Sequence, residues 1–160
     1  MLDLEAIELI KQLKSRYFRA LDTADLTTME TVFTSDGLIH YQGPSYNIEH
    51  QGWDALATFF TTTFTERQFG VHIGVNPEIS VDGDSATGIW YLRDTFVNLE
   101  HQVQFEGSAI YRDEYVKVDG QWRISASRYQ RLFEQISPIP KGVHHTGVPT
   151  KLKSALGTSC

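Results

Sequence analysis

The residue types best suited to chemistry in this sequence are a histidine and an aspartate, His72 and Asp94. They lie in two strand-like segments that meet across the turn Asp82-Gly83-Asp84, and both are equidistant from residue 83. A hairpin centred there places the two residues opposite each other. A carboxylate next to an imidazole fixes its tautomer and raises its basicity, as in a general base. The same pair can also be purely structural, with two buried polar groups satisfying each other.

The surroundings of Asp94 make a partner necessary. Alternation along a strand puts Asp94 on one face with Trp90, Leu92 and Phe96. The opposite face also carries apolar side chains, so we expect strand 86–98 to be central and covered on both sides. A carboxylate in such a setting is costly unless a cation or a donor pairs with it.

Two tyrosines are further candidates. Tyr17 falls on the apolar stripe of the first predicted helix, and Tyr41 can point inward from a short strand. Two phenols beside a His–Asp pair in an apolar cavity would suit polarising a carbonyl and moving a proton next to it. For each tyrosine, packing in the core is the alternative interpretation.

Composition excludes several classes of function. The 160 residues carry a net charge of −6 and no Lys/Arg run, so a nucleic-acid partner is not expected. The only cysteine, Cys160, allows no intrachain disulfide and no thiolate zinc cluster. His144 and His145 have no third ligand at a metal spacing, so no metal site is predicted. The sequence contains no glycine-rich phosphate loop, GxSxG or HExxH motif.

The N-terminus lacks the basic start and apolar centre of a signal peptide. No segment approaches the ~18 apolar residues of a membrane span. We therefore expect a cytoplasmic protein with no membrane partner.

The hydrophobic periodicity predicts helices followed by an antiparallel meander, which is an α+β fold with helices on one side of a curved sheet. Asp3 and Asp25 are the expected helix N-caps, and Pro77 predicts an edge strand or a bulge. Asp119-Gly120 is a strong hairpin signal.

The domain is expected over 1–137, with an extended tail over 138–160. The predicted helices are 3–22, 26–33 and 52–64; the predicted strands are 38–42, 71–80, 86–98, 104–118 and 122–133; the segment 44–51 is predicted to be a loop.

Four stretches of this sequence together resemble a known family: RYFRALD, VHIGVNPEI, GIWYLRD and YRDEYVKVDGQW. In order and spacing they are similar to the SnoaL-like branch of the nuclear-transport-factor-two-like superfamily. Within that branch they most resemble the bile-acid 7α-dehydratases. The resemblance spans about residues 5–145.

This resemblance implies a cone-shaped α+β barrel around a deep apolar pocket that the N-terminal helices close. It also implies breakage of a C–O bond in a steroid without cofactor or metal. The family's active-site residues match Tyr17, Asp22, Tyr41, His72 and Asp94 in this sequence. This agreement favours a catalytic role for His72 and Asp94 over a structural one.

The function expected on this basis is a cofactor-independent dehydratase acting on a steroid-like or polycyclic hydroxy-ketone. A ketosteroid-type isomerase in the same pocket and a non-catalytic binder of apolar ligands are the alternatives, since one fold supports many functions. The expected partners are an apolar small-molecule substrate and further copies of the chain. A dimer or trimer is expected because an apolar sheet face needs covering.

Overall fold

A curved, mixed sheet of six strands forms the framework of the protein and is not closed into a barrel. The computed structural model describes residues 2–146. The strands are hydrogen-bonded in the spatial order β2-β1-β6-β5-β4-β3, which confirms the α+β class. In chain order the elements are α1 (Leu4–Asp22), α2 (Leu26–Val32), β1 (Phe33–Gly43), β2 (Tyr46–Gln51), α3 (Trp53–Thr63), β3 (Gln68–Asp82), β4 (Ser85–Asn98), β5 (Val103–Val118) and β6 (Gln121–Pro138).

The first two helices begin at the predicted caps. The Asp3 carboxylate accepts a hydrogen bond from the backbone N–H of Ala6 at 2.9 Å, and Asp25 accepts one from Thr28 at 3.2 Å. Each contact satisfies a backbone donor that the helix itself leaves free. The apolar stripe of α1 is buried, and the helix packs mainly against β3.

Two predictions about the sheet are wrong. Segment 44–51 is not a loop, because 46–51 forms β2 and pairs with β1. The sheet is also not a simple meander, because β1 runs parallel to β6 along its other edge. This pairing joins the first strand of the chain to the last, and no local pattern encodes such a contact.

The hairpin predictions are confirmed. The strands β3 and β4 pair with His72 opposite Asp94, as the turn position requires. Pro77 lies in β3, which is an edge strand whose register shifts between Val75 and Glu78. A proline is tolerated there because an edge or bulged position does not need its missing N–H.

The two faces of β4 differ in solvent exposure more than the sequence predicts. Trp90, Leu92 and Asp94 are buried on the concave face, but Tyr91 on the convex face is 47% exposed and Arg93 is exposed as well. The expectation that both faces are covered is therefore wrong for the single chain. Within residues 2–146, the helices pack on the concave face.

A buried ion pair fixes α1 over the middle of the sheet. The ammonium of Lys14 lies 2.7 Å from the Asp113 carboxylate, and both side chains are fully buried. Asp113 also accepts hydrogen bonds from Tyr115 and Ser127, at 2.8 and 2.7 Å. Burial lowers the pKa of Lys14, and Asp113 opposes that shift. Buried charges of this kind are tolerated only when well paired, so the contact restricts how α1 can sit on the sheet.

The strand β6 extends to Pro138, beyond its predicted end. After it, the backbone N–H of Ile139 donates to the Gln102 carbonyl at 2.9 Å. Most of the predicted tail over 138–160, including Cys160, lies outside the described residues. Among residues 2–146, no helix combines the length and apolarity of a membrane span.

Candidate active site

A cavity of about 220 Å³ lies between the concave face of the sheet and the helices α1 and α3. Its walls are mostly aromatic and aliphatic side chains. Four of the five predicted site residues line it: Tyr17, Tyr41, His72 and Asp94. The fifth, Asp22, lies behind His72 and contacts it directly.

Asp22 holds the imidazole of His72 in place. One carboxylate oxygen lies 2.7 Å from Nδ1 of His72, and the other accepts the backbone N–H of the same residue at 3.1 Å. Asp22 is the last residue of α1, whereas His72 lies within β3. A single carboxylate therefore ties the end of the helix to both the strand and the ring.

The imidazole is also confined by aromatic rings. Phe18 stacks on it with centroids 6.4 Å apart and an interplanar angle of 11°, and Phe64 approaches at 5.8 Å. Because Asp22 occupies Nδ1, the other nitrogen, Nε2, is the one left for a ligand. Among residues 2–146, no side chain forms a hydrogen bond with Nε2 of His72.

The predicted His72–Asp94 pair does not form, although the two residues are opposite each other in the sheet. Asp94 instead binds Arg131 on β6 in a bidentate contact, at 2.5 and 2.7 Å. A guanidinium matches a carboxylate with two parallel hydrogen bonds, which a single imidazole N–H cannot do. His72 takes Asp22 as its partner, so the correct dyad is Asp22–His72.

Arg131 is the main residue that the sequence analysis missed. Its side chain is 8% exposed, and its Nε donates to the Tyr46 hydroxyl at 2.8 Å. Burial lowers the pKa of Arg131, but the hydrogen bonds and charge of Asp94 more than offset this, so the pKa is raised. The guanidinium therefore stays charged inside the cavity wall.

Three phenols form the second part of the site. The hydroxyls of Tyr17 and Tyr41 are 2.5 Å apart, and the hydroxyl of Tyr111 lies 3.4 Å from that of Tyr17. Burial raises the pKa of all three well above the ordinary tyrosine value. They are therefore protonated at neutral pH and can donate hydrogen bonds.

A further phenol pair connects these tyrosines to Arg131. The ring of Tyr129 stacks on Tyr41 with centroids 4.5 Å apart, and its hydroxyl lies 2.8 Å from that of Tyr46. The spacing of Tyr129 and Arg131 was a usable signal, because residues two apart in a strand share a face. Tyr46 could not be found in this way, because the sequence analysis placed it in a loop.

The arrangement combines a base and several acids around an apolar space. The Asp22–His72 dyad can accept a proton at Nε2, and the phenols can donate to a developing oxyanion. Because the walls are apolar, these interactions act in a low dielectric. The described residues 2–146 contain no group of His, Cys, Asp and Glu that could hold a metal ion.

Residues 2–128 match the family model described as SnoaL-like domain. Solved structures have the same fold. Rv3472 from Mycobacterium tuberculosis, a protein of unknown function solved as an aspartate-to-asparagine variant, has 29% identity over 80% of this chain and 72% of its own, with a TM-score of 0.69. A hexachlorocyclohexane dehydrochlorinase, LinA-type3 from Novosphingobium barchaimii, has 19% identity over 90% and 96%, with a TM-score of 0.73. A candidate scytalone dehydratase from Novosphingobium aromaticivorans has 20% identity over 89% and 97%, with a TM-score of 0.72.

The Asp22 contact predicts the tautomer of His72. Because a carboxylate accepts a hydrogen bond, neutral His72 should carry its proton on Nδ1 and leave the Nε2 lone pair facing the cavity. Imidazole ¹⁵N chemical shifts at a pH where the ring is neutral measure this directly. Asp22→Asn should shift the resonances away from the Nδ1–H pattern. A neutral ring protonated on Nε2 in the wild-type protein would contradict a hydrogen bond donated by Nδ1–H to Asp22.

Proposed function

Because this chain belongs to the SnoaL-like domain family, we propose that it is a lyase that eliminates water from a polycyclic hydroxy-ketone using its own side chains. The observation that carries the proposal is the imidazole of His72, which Asp22 holds by Nδ1 within an apolar cavity. Removing a proton next to a carbonyl needs a base and an oxyanion stabiliser, and this site offers both.

In the proposed mechanism, Nε2 of His72 takes a proton from the carbon adjacent to the substrate carbonyl. The electron pair of that C–H bond moves into the carbonyl and forms an enolate. Tyr17, with Tyr41, donates hydrogen bonds to the enolate or to the departing oxygen. The enolate then re-forms the carbonyl, and its electron pair makes a new carbon–carbon double bond as the C–O bond to the hydroxyl on the next carbon breaks. The protonated His72 gives its proton to that leaving oxygen, so that water departs.

Asp22 and Asp94 have different proposed roles. Asp22 orients His72 and stabilises the imidazolium that forms during the reaction. Asp94 is not the partner of the base. It holds Arg131, which in turn donates to the Tyr46 hydroxyl and so shapes the polar wall of the cavity. Asp94 is thus a positioning residue in this proposal.

The size of the cavity bears on the substrate. Its volume of about 220 Å³ is below the ~300–1,000 Å³ common for ligand pockets. This volume favours a hydroxy-ketone of two or three rings over a complete steroid, although the site residues resemble those of bile-acid 7α-dehydratases. The named activities of the fold relatives, a dehydrochlorinase and a candidate scytalone dehydratase, also support an elimination.

The test is turnover by the wild-type protein and a His72→Ala variant. Purified protein is incubated with bicyclic and tricyclic hydroxy-ketones and with hydroxysteroids, and the products are analysed by mass spectrometry. We expect a product lighter by one water, and His72→Ala should lower the rate by about 10²–10⁴-fold because the general base is lost.

His101→Ala is the matched control, because His101 is exposed and outside the cavity. It should retain the wild-type rate. Retained turnover in a folded His72→Ala variant would contradict the mechanism. A product of unchanged mass would identify an isomerase, and the absence of turnover on the whole panel would favour a non-catalytic binder.

We also propose that the convex face of the sheet is covered by a second copy of the chain. Val71, Ile73, Tyr91 and Phe133 on that face are 54%, 52%, 47% and 52% exposed. An apolar patch over neighbouring strands marks an interaction surface. Sedimentation equilibrium should show a dimer or trimer that Ile73→Lys dissociates, and a monomer at all protein concentrations would contradict this.

A further inference from the structure

One row of residues crosses the floor of the cavity from strand to strand. The pairing places His72 opposite Asp94, Asp94 opposite Gly107, and Gly107 opposite Glu134. Neighbouring strands are about 4.8 Å apart, so the two ends of the row are separated by roughly 14 Å at the Cα atoms. His72, the proposed base, stands at one end, and Glu134 stands at the other.

Gly107 leaves room in the middle of this row. A Cβ atom at this position would lie 3.0 Å from Nη1 of Arg131 and 2.7 Å from the carbonyl oxygen of Phe133. The missing side chain lets the guanidinium lie across the row and reach Asp94 from β6. Glu134 itself lines the cavity.

The carboxylate of Glu134 is poorly satisfied for a buried group. Its side chain is only 5% exposed, and its one polar contact within residues 2–146 is Nε of Arg131 at 3.4 Å. That N–H already donates to the Tyr46 hydroxyl at the shorter distance of 2.8 Å. A carboxylate offers about four acceptor positions, so Glu134 keeps free acceptors in an apolar cavity. Such a group requires a donor from elsewhere.

The charge around Glu134 limits what that donor can be. Two carboxylates, Asp94 and Glu134, share the single guanidinium of Arg131. The cluster therefore carries one excess negative charge in surroundings that solvate charge poorly. A ligand carboxylate placed there would be repelled, whereas a neutral hydroxyl can donate a hydrogen bond.

We propose that Glu134 is a substrate-binding residue that accepts a hydrogen bond from a hydroxyl at the end of the substrate remote from His72, and thereby selects uncharged hydroxylated ketones over carboxylates. This inference rests on the proposed function for the orientation of the substrate. Beyond that function, it adds a second residue that binds the substrate and a preference for uncharged substrates. The preferred substrate is an elongated ketone with a second hydroxyl on its far ring.

The test is a binding measurement with three matched bicyclic ketones that lack a leaving group and so cannot react. The probes are a tetralone with a hydroxyl on the ring remote from the ketone, its methoxy ether and the corresponding carboxylate. Isothermal titration calorimetry should show the hydroxyl probe binding about 10-fold or more tightly than the ether, because a hydrogen bond to a charged group is lost. The carboxylate probe should bind most weakly.

Glu134→Gln keeps the shape of the side chain and removes its charge. In this variant the carboxylate probe should gain at least several-fold in affinity, and the preference for the hydroxyl probe should shrink. Glu106→Gln is the matched control, because Glu106 is 41% exposed and pairs with Arg93 outside the cavity. It should leave all three affinities unchanged.

Equal affinity for the three probes, no binding of the hydroxyl probe, or unchanged ratios in a folded Glu134→Gln variant would overturn the assignment. Because none of the probes reacts, these results are independent of turnover. Loss of selectivity at Glu134 with intact elimination would leave the proposed function standing. Selective binding without any turnover would leave the Glu134 assignment standing.

Discussion

The hydrogen bonds from His72 to Asp22 are the constraint on which the rest of the site depends. The Asp22 carboxylate lies at the end of α1 and is hydrogen-bonded to both Nδ1 and the backbone N–H of His72 on β3. The position of the helix therefore sets the orientation of the ring. Two turns earlier in the same helix, Lys14 is paired with Asp113 in the buried core. With α1 held at these two points, Nε2 has a fixed direction into the cavity, which is what a general base requires.

The remaining polar groups fit the same chemistry because their protonation states complement the base. Burial keeps the Tyr17 and Tyr41 phenols protonated, so they are donors when His72 is an acceptor. Arg131 stays charged because Asp94 binds both of its terminal nitrogens. The apolar walls lower the local dielectric and so strengthen each of these interactions. The cavity thus places a basic group, His72, opposite a wall rich in hydrogen-bond donors.

Sequence patterns predicted the features that are local. The helices, the aspartate caps of the first two and the His72–Asp94 register follow from residues close together in the chain. The side-chain partners did not follow, because Asp22 is 50 residues from His72 and Arg131 is 37 residues from Asp94. A β-bulge in β6 also made it harder to predict from the sequence which residues of that strand face the cavity. Phe133 pairs with Ser108 and Arg131 with Ala109, so Leu132 is an extra residue in β6. Arg131 and Glu134, three apart, consequently face the same cavity, which regular alternation would forbid.

The coupling between Asp22 and His72 can be measured directly with a double-mutant cycle on the kcat/KM of water elimination. Asp22→Asn should lower it by about 10²-fold or more, because the imidazole loses its tautomer and orientation. In a His72→Ala background the same change should have almost no further effect, since residues that act as one unit give non-additive losses. Independent, multiplicative losses in folded variants would show that Asp22 does not act through His72 and would contradict the account.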